Sequence, residues 1–249
     1  AAGCAVIDLS GALPAEQAPQ VVPQANAHVL KALKKPFQLG SPSPCATYLA
    51  VVLAPLRGVV DIQRVSVTAN LAISAQGREA VSELARQTAE LLNVRPLEPA
   101  FFDRQVAFNL LAQVGTPDAQ GHTALEKRLV HELRAVLETP LLKISATCVQ
   151  APVFFGDSLT VSLQLAAPVD LAAVNRALDA APGIERVEEG DYPTAVGDAV
   201  GQDLVYVGRV RAGIDDPAEL NLWLTSDNVR KGSALNAVEL AQLLIKGLV

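Results

Sequence analysis

The chain has no methionine in 249 residues, one tryptophan and 4% aromatic residues. Its core must therefore be aliphatic, and half of all residues are apolar, chiefly leucine, valine and alanine. Cysteine is also sparse. Cys4, Cys45 and Cys148 are an odd set without CxxC spacing, which argues against a disulfide framework and for reducing, cytoplasmic surroundings. No uninterrupted apolar run reaches about 18 residues, the length that a spanning helix needs. No charged-then-apolar leader is present. Twenty lysines and arginines face 26 acidic residues, a net charge of −6, and the basic residues form no stripe. This argues against nucleic acid and anionic membrane as partners. The chain also lacks GxGxxG, GxxGxxG and Walker loops. His28, His122 and His131 have no metal-ligand spacing among themselves or with the cysteines, so no metal site is expected. With no methionine at position 1 and a strand-like opening, Ala1 is not expected to be a natural start.

The length suits one large domain or two modest ones. Residues 4 to 9 read as a buried strand, and 11 to 24, with Pro14, Pro19 and Pro23, as an irregular crossing. Asn26 is placed to cap a short helix through Leu33, and Phe37 to Leu39 reads as a brief strand. An apolar helix covers Thr47 to Leu56, and Arg64 to Asn70 alternates as a strand. Residues 76 to 92 form a helix with Val81, Leu84, Leu91 and Leu92 inward, and Arg78, Glu79, Glu83 and Arg86 outward. A long connection containing Pro96 and Pro99 precedes a second helix, Thr123 to Leu137. Thr123 and Glu126 have capping-box spacing there, and Leu125, Leu129, Leu133 and Val136 share a face. Strands follow at Lys143 to Gln150 and Leu159 to Ala166. Asp170 caps a helix to Leu178. Strands at Leu204 to Arg211 and Asn221 to Thr225 lead to a final helix from Arg230, with Ala234, Val238, Ala241, Ile245 and Leu248 on one side. The pattern predicts an α+β fold, a mixed and largely antiparallel sheet covered by helices. There is no internal repeat and no low-complexity tract.

Cys45 follows Ser41-Pro42-Ser43-Pro44 and opens the helix to Leu56. A thiol at a helix N-terminus is favoured as thiolate by unpaired N–H groups and the helix dipole. It is therefore either an acyl-transfer nucleophile or a buried small apolar residue. Cys4 and Cys148 lie in strand-like apolar runs and read as core. Pro152 to Ser158 either presents the Asp157 carboxylate to a cleft or merely turns the chain. Asp227-Asn228 before Arg230-Lys231-Gly232 is either a helix start that meets an anion or a simple Asp cap.

Together, several segments resemble the aspartate-semialdehyde dehydrogenase family. They are Val21-Val22-Pro23-Gln24-Ala25-Asn26, Pro44-Cys45-Ala46-Thr47, Phe108-Asn109-Leu110, Cys148-Val149-Gln150-Ala151-Pro152-Val153, Tyr192-Pro193-Thr194 and Asp227 to Asn236. Ser74-Ala75-Gln76-Gly77, Phe101-Phe102-Asp103-Arg104-Gln105 and Gln150 to Gly156 are similar to the Usg-type branch. The resemblance implies a glyceraldehyde-3-phosphate-dehydrogenase-like catalytic and dimerisation domain over 45–226. Residues 1–44 would be the remnant of a Rossmann-type NADP-binding domain, and 227–249 a C-terminal helix packing back on it. It implies a homodimer and NADP as cofactor, with the phosphate-binding glycine loop lying ahead of this chain. It also implies reduction of β-aspartyl phosphate, in which a cysteine thiolate forms a thioacyl enzyme, NADPH delivers hydride and a histidine is acid/base.

Carried across, the resemblance puts Cys45 at the nucleophile, between Pro44 and Ala46 where the family has asparagine and serine. Asp157 replaces the acid/base histidine, and Leu71 replaces an active-site glutamine. Gln150 replaces the arginine that clamps the substrate carboxylate; an amide lacks the charged fork of a guanidinium. Leu125 replaces a carboxylate, while Glu126 and Arg128 stay at substrate positions, Arg128 where the family holds phosphate with lysine. Asn228 and Asn236 are the cofactor-side residues. The expectation is a Usg-type homologue without the ordinary dehydrogenase activity, the alternative being an active NADP-dependent enzyme using Cys45.

Overall fold

The computed structural model describes residues 4–33 and 36–246. In chain order these form β1 (Val6–Asp8), α1 (Pro23–Asn26), a 3₁₀ segment (Ala27–Ala32), β2 (Gln38–Gly40), α2 (Pro44–Leu56), β3 (Ile62–Leu71) and a 3₁₀ turn (Ile73–Gln76). Then come α3 (Arg78–Leu92), α4 (Ala124–Val136), β4 (Lys143–Gln150), β5 (Asp157–Leu165), α5 (Leu171–Ala180), β6 (Ile184–Arg186), β7 (Val205–Ala212), β8 (Glu219–Ser226) and α6 (Asn236–Ile245). Two π-helical turns, Ala195–Ala199 and Arg230–Leu235, precede β7 and α6 respectively.

The main sheet has six strands in the order β4-β3-β5-β8-β7-β6, and β1 pairs with β2 in a separate parallel ribbon. The centre is antiparallel (β3/β5, β5/β8, β7/β8), while β4 and β6 join in parallel at the two edges. This is the mixed α+β architecture that the pattern predicts. Strict alternation along β5, with Leu159, Val161, Leu163 and Leu165 buried, gives the sheet one apolar face. Helix α2 lies on that face and is apolar all round, as a helix enclosed by other elements must be. It packs against α4, α5 and the turn before α6. The opposite face carries the rows Thr68–Thr160–Trp223 and Ser66–Ser162–Asn221.

Local chemistry explains most element starts. Thr123 accepts from the Glu126 N–H while the Glu126 carboxylate accepts from the Thr123 N–H, the reciprocal capping box. Asp170 Oδ1 accepts from the Ala173 N–H. Pro44 at the first position of α2 gives up an N–H that the helix would not have used.

Several expectations need correction. Residues 4 to 9 are not a buried strand: β1 is three residues long, Val6 and Leu9 are exposed, and so is Cys4. Asn26 does not cap a helix. It is buried, accepting from the Val22 N–H and donating to Gln20 O, and so ties the crossing segment together. In α3, Leu92 is 71% exposed, whereas Glu83, placed outward by pattern, is buried. Glu83 accepts from Gln87, Arg86 and the Ala100 N–H, and so pins the long connection that follows α3. In the last helix, Val238 and Ile245 are exposed while Asn236 and Leu240 are buried, and Lys231 is buried in the π-helical turn that precedes them. Leu248 lies outside the described residues. Short strand β6 has too few residues for a periodicity signal.

Truncating Glu83 to alanine should destabilise the protein by about 1–3 kcal/mol, the cost of stranding buried donors. Hydrogen exchange should accelerate over 98–107 before it does in the sheet; uniform acceleration would count against this role.

Candidate active site

Cys45 is the second residue of α2 and is 6% exposed. Its Sγ lies 3.9 Å from Asp157 Oδ2. Asp157 is the first residue of β5, and its Oδ1 accepts from the Ala72 N–H at 2.8 Å. The turn before it is held in place at two points. The N–H groups of Ile73 and Ser74 donate to the carbonyls of Val153 and Phe154. Gly156, at φ +87°, donates its N–H to Asn228 Oδ1, and a Cβ there would come within 2.8 Å of Ala195 O. Only glycine meets both demands. The 152–158 segment is thus a turn that also delivers a carboxyl to Cys45.

The environment works against both charged forms. Burial pushes the Cys45 thiol well above its ordinary range, and Asp157, Cys148 and Glu132 push it further. Burial likewise raises Asp157 to about 7; Asp227 adds to this, and the Ala72 N–H opposes it. Burial also raises Cys148, to about 12. The N-terminus of α2 is itself taken by a carboxylate. Glu132 Oε2 accepts from the Ser43 N–H at 2.7 Å and from the Ser43 hydroxyl at 2.5 Å. The end of the helix dipole that would favour a thiolate is therefore offset two residues before Cys45.

The other expected site residues gather around this pair, but each is engaged. Gln150 donates through Nε2 to Leu71 O and accepts at Oε1 from Gln76 Nε2, both at 2.7 Å. Leu71 itself is core. Glu126 serves the capping box and accepts from the Cys148 N–H; burial opposes its ionisation, but the Thr123 and Cys148 N–H groups outweigh that and lower its pKa. Arg128 turns to Glu132 Oε1 and the carbonyls of Leu9 and Ser10. Asn228 accepts from Gly156 and pairs with Ser74. Asn236 donates to Val21 O and Ser41 Oγ. Asp227 is a cap: Oδ1 accepts from the N–H groups of Val229 and Arg230, and Oδ2 from the Gly201 N–H. That resolves the Asp227 alternatives in favour of its own carboxylate as the anion at this turn.

Sequence reasoning passed over Glu132 and Tyr48. Glu132 stands four residues after Arg128, an ion-pair spacing that was legible. Tyr48 looked like one more apolar position of α2. Its hydroxyl is buried without a protein hydrogen-bond partner, and burial, then the charges of Asp157, Cys45 and Asp227, raise its pKa.

Comparison with known proteins agrees with this architecture. A family model described as the semialdehyde dehydrogenase dimerisation domain matches residues 53–231. A protein of Azotobacter vinelandii named USG-1 protein homolog is 60% identical over 246 residues, covering 99% of this chain and 73% of its own length. The chain belongs to the aspartate-semialdehyde dehydrogenase family. The structure of a probable aspartate-semialdehyde dehydrogenase from Pseudomonas aeruginosa superposes with a TM-score of 0.96 at 60% identity, over 99% of this chain and 74% of that one. Aspartate semialdehyde dehydrogenase II of Vibrio cholerae superposes at 0.93 with 37% identity, over 97% and 72%. Asp157, Gln150, Glu126, Arg128 and Asn228 fall within the matched family segment; Cys45 and Asn236 lie outside it.

The raised Asp157 carboxyl gives a signed pH dependence. Its ionisation is penalised in the fold, fully above about pH 7, less as pH falls toward 3.8, and not below. Asp157→Asn should therefore raise the melting temperature at pH 8, by roughly 2–4 °C per kcal/mol relieved. The gain should shrink through pH 7 and vanish near pH 4. Equal melting curves at pH 8 would contradict this assignment.

Proposed function

We propose that this chain is a Usg-type homologue that does not carry out NADP-dependent turnover of β-aspartyl phosphate and aspartate semialdehyde. The supporting observation is the Cys45–Asp157 contact, in which a buried thiol meets a buried carboxyl with no cation to favour the thiolate. A nucleophilic cysteine needs its thiolate, and a like-charged neighbour in low dielectric suppresses it. Gln150 adds to the case, because its amide is committed to Leu71 and Gln76.

NADP is the cofactor the family offers; a Candida albicans member was solved with it. The described residues do not fit a dinucleotide cradle. Both donors of Asn236 are spent inside the fold, and Asn228 is closed onto Gly156 and Ser74. No step is therefore derived through NADP.

One observation favours the rival enzyme. A carboxyl that titrates at about 7 is partly ionised at neutral pH and can accept a proton from Cys45. The two readings part in one assay, in which the protein is incubated with aspartate semialdehyde, NADP and phosphate. We expect no turnover, and a labelling profile placing the Cys45 pKa above about 8.5. Turnover that Cys45→Ala abolishes would sink the proposal.

The 45–226 unit, the packing of 227–249 on 1–44 and a cytoplasmic setting belong to the same reading; no helix among the described residues is long and apolar enough to cross a membrane. So does a homodimer built on the central sheet, supported by the matched dimerisation domain and by the polar sheet face on which Thr68 and Thr160 are exposed. Light scattering should give twice the chain mass, and Thr160→Arg, at the middle of that face, should shift it toward monomer. A monomeric wild-type protein would remove the dimer.

A further inference from the structure

We propose that the Cys45 site selects its ligand by charge, accepting an uncharged or cationic small molecule, such as an amide or an amine-bearing carbonyl compound, and rejecting phosphates and carboxylates. This rests on the reading above and names the ligand class of the same site.

The argument is a census of charges from every element packed around the thiol. Strand β5 supplies Asp157, in direct contact. The end of β8 supplies Asp227, next to Ser226, the register partner of Asp157. Helix α4 supplies Glu132 at the Ser43 N–H and Glu126 at the Cys148 N–H. Strand β4 adds the Cys148 thiol and α2 the Tyr48 phenol. The nearby cations are committed elsewhere. Arg128 faces Glu132 and two carbonyls, Arg230 pairs with Asp203, and buried Lys231 faces Glu239 at 3.7 Å. Asp227 feels Arg230 and Glu126 feels His122, whereas Asp157, in contact with the thiol, has no cation beside it. A phosphate or carboxylate entering here would meet that acid in low dielectric. An amide or ammonium would meet acceptors.

Tyr48 is a second, independent pointer. Its side chain is fully buried on α2, and its hydroxyl, which has no partner, reaches the N-terminal turn of that helix; a Cβ on Gly232 would collide there with this hydroxyl and lie 2.6 Å from Pro44 Cβ. Buried hydroxyls are normally hydrogen-bonded. This one retains both a donor and an acceptor for an uncharged ligand group.

The test measures modification of Cys45 by three methanethiosulfonates of similar size, carrying an ammonium, a methyl or a sulfonate group. In each reaction the thiolate sulfur bonds to the reagent's sulfenyl sulfur, methanesulfinate departs with the electron pair, and the thiol proton goes to solvent. Rates are normalised to free cysteine, Cys4→Ser removes the exposed thiol, and peptide mass spectrometry assigns the label to Cys45. At pH 8 we expect the ammonium reagent to exceed the sulfonate reagent by about tenfold or more, and the ratio to narrow at pH 6 as Asp157 takes up its proton. Equal rates, a faster sulfonate reagent, or no modification by any of the three overturns the proposal. If the neutral reagent's pH profile still places the thiol above about 8.5, only the charge proposal fails; a profile below that value takes down the reading beneath it.

Discussion

Glu132 holds the start of the buried helix α2 to the rest of the molecule. One carboxylate oxygen takes the Ser43 N–H and hydroxyl, and the other takes Arg128, which reaches on to the carbonyls of Leu9 and Ser10. The β1 ribbon, the proline-rich approach to Cys45 and helix α4 are thereby fixed to one another. Ser43 contributes no side-chain cap to its own helix, so Glu132 supplies from α4 what a local cap would have supplied. The electrostatic consequence is unavoidable. The group that satisfies the helix start is an anion, and it sits where a thiolate would otherwise draw its stabilisation.

The rest of the site follows the same logic. A six-stranded sheet, an enclosed apolar helix and a turn locked by Gly156 bring Cys45 and Asp157 to within 3.9 Å of each other. The scaffold is that of the aspartate-semialdehyde dehydrogenase family. The resemblance sets different charges within it. Where the family resemblance implies a histidine and an arginine, this chain has an acid and an amide, and the amide closes on backbone. Geometry and chemistry are separable here because close packing of the aliphatic core fixes where side chains stand, without specifying what charge they carry.

Much of this was legible locally. Apolar recurrence at helical spacing located α3 and α4, an apolar run located α2, alternation located β3, and the Thr123–Glu126 box and the Asp170 cap were visible as spacings. The misreadings share a cause. Glu83 and Leu92 were sorted by hydropathy, but a connection lacking secondary structure needed a buried acceptor for the Ala100 N–H, and the end of α3 has nothing over it. Val238 and Ile245 were placed on an apolar face that includes Ala234, whereas α6 buries the face of Asn236 and Leu240. Asn26 has the residue type of a cap and the burial of a tie.

By itself, then, the sequence determined the fold class, most of the element order and the family, because periodicity, caps and family motifs are short-range properties of the chain. It left Cys45 as either nucleophile or core residue, and Asp157 as either presented acid or turn residue. Only the tertiary structure shows the two side chains buried and in contact with each other. Desolvation and charge proximity depend on residues 85 to 112 positions apart, Ala72 with Asp157 and Cys45 with Asp157. No local pattern reports that a thiol, a phenol and the Asp157 carboxyl converge with no cation beside the thiol.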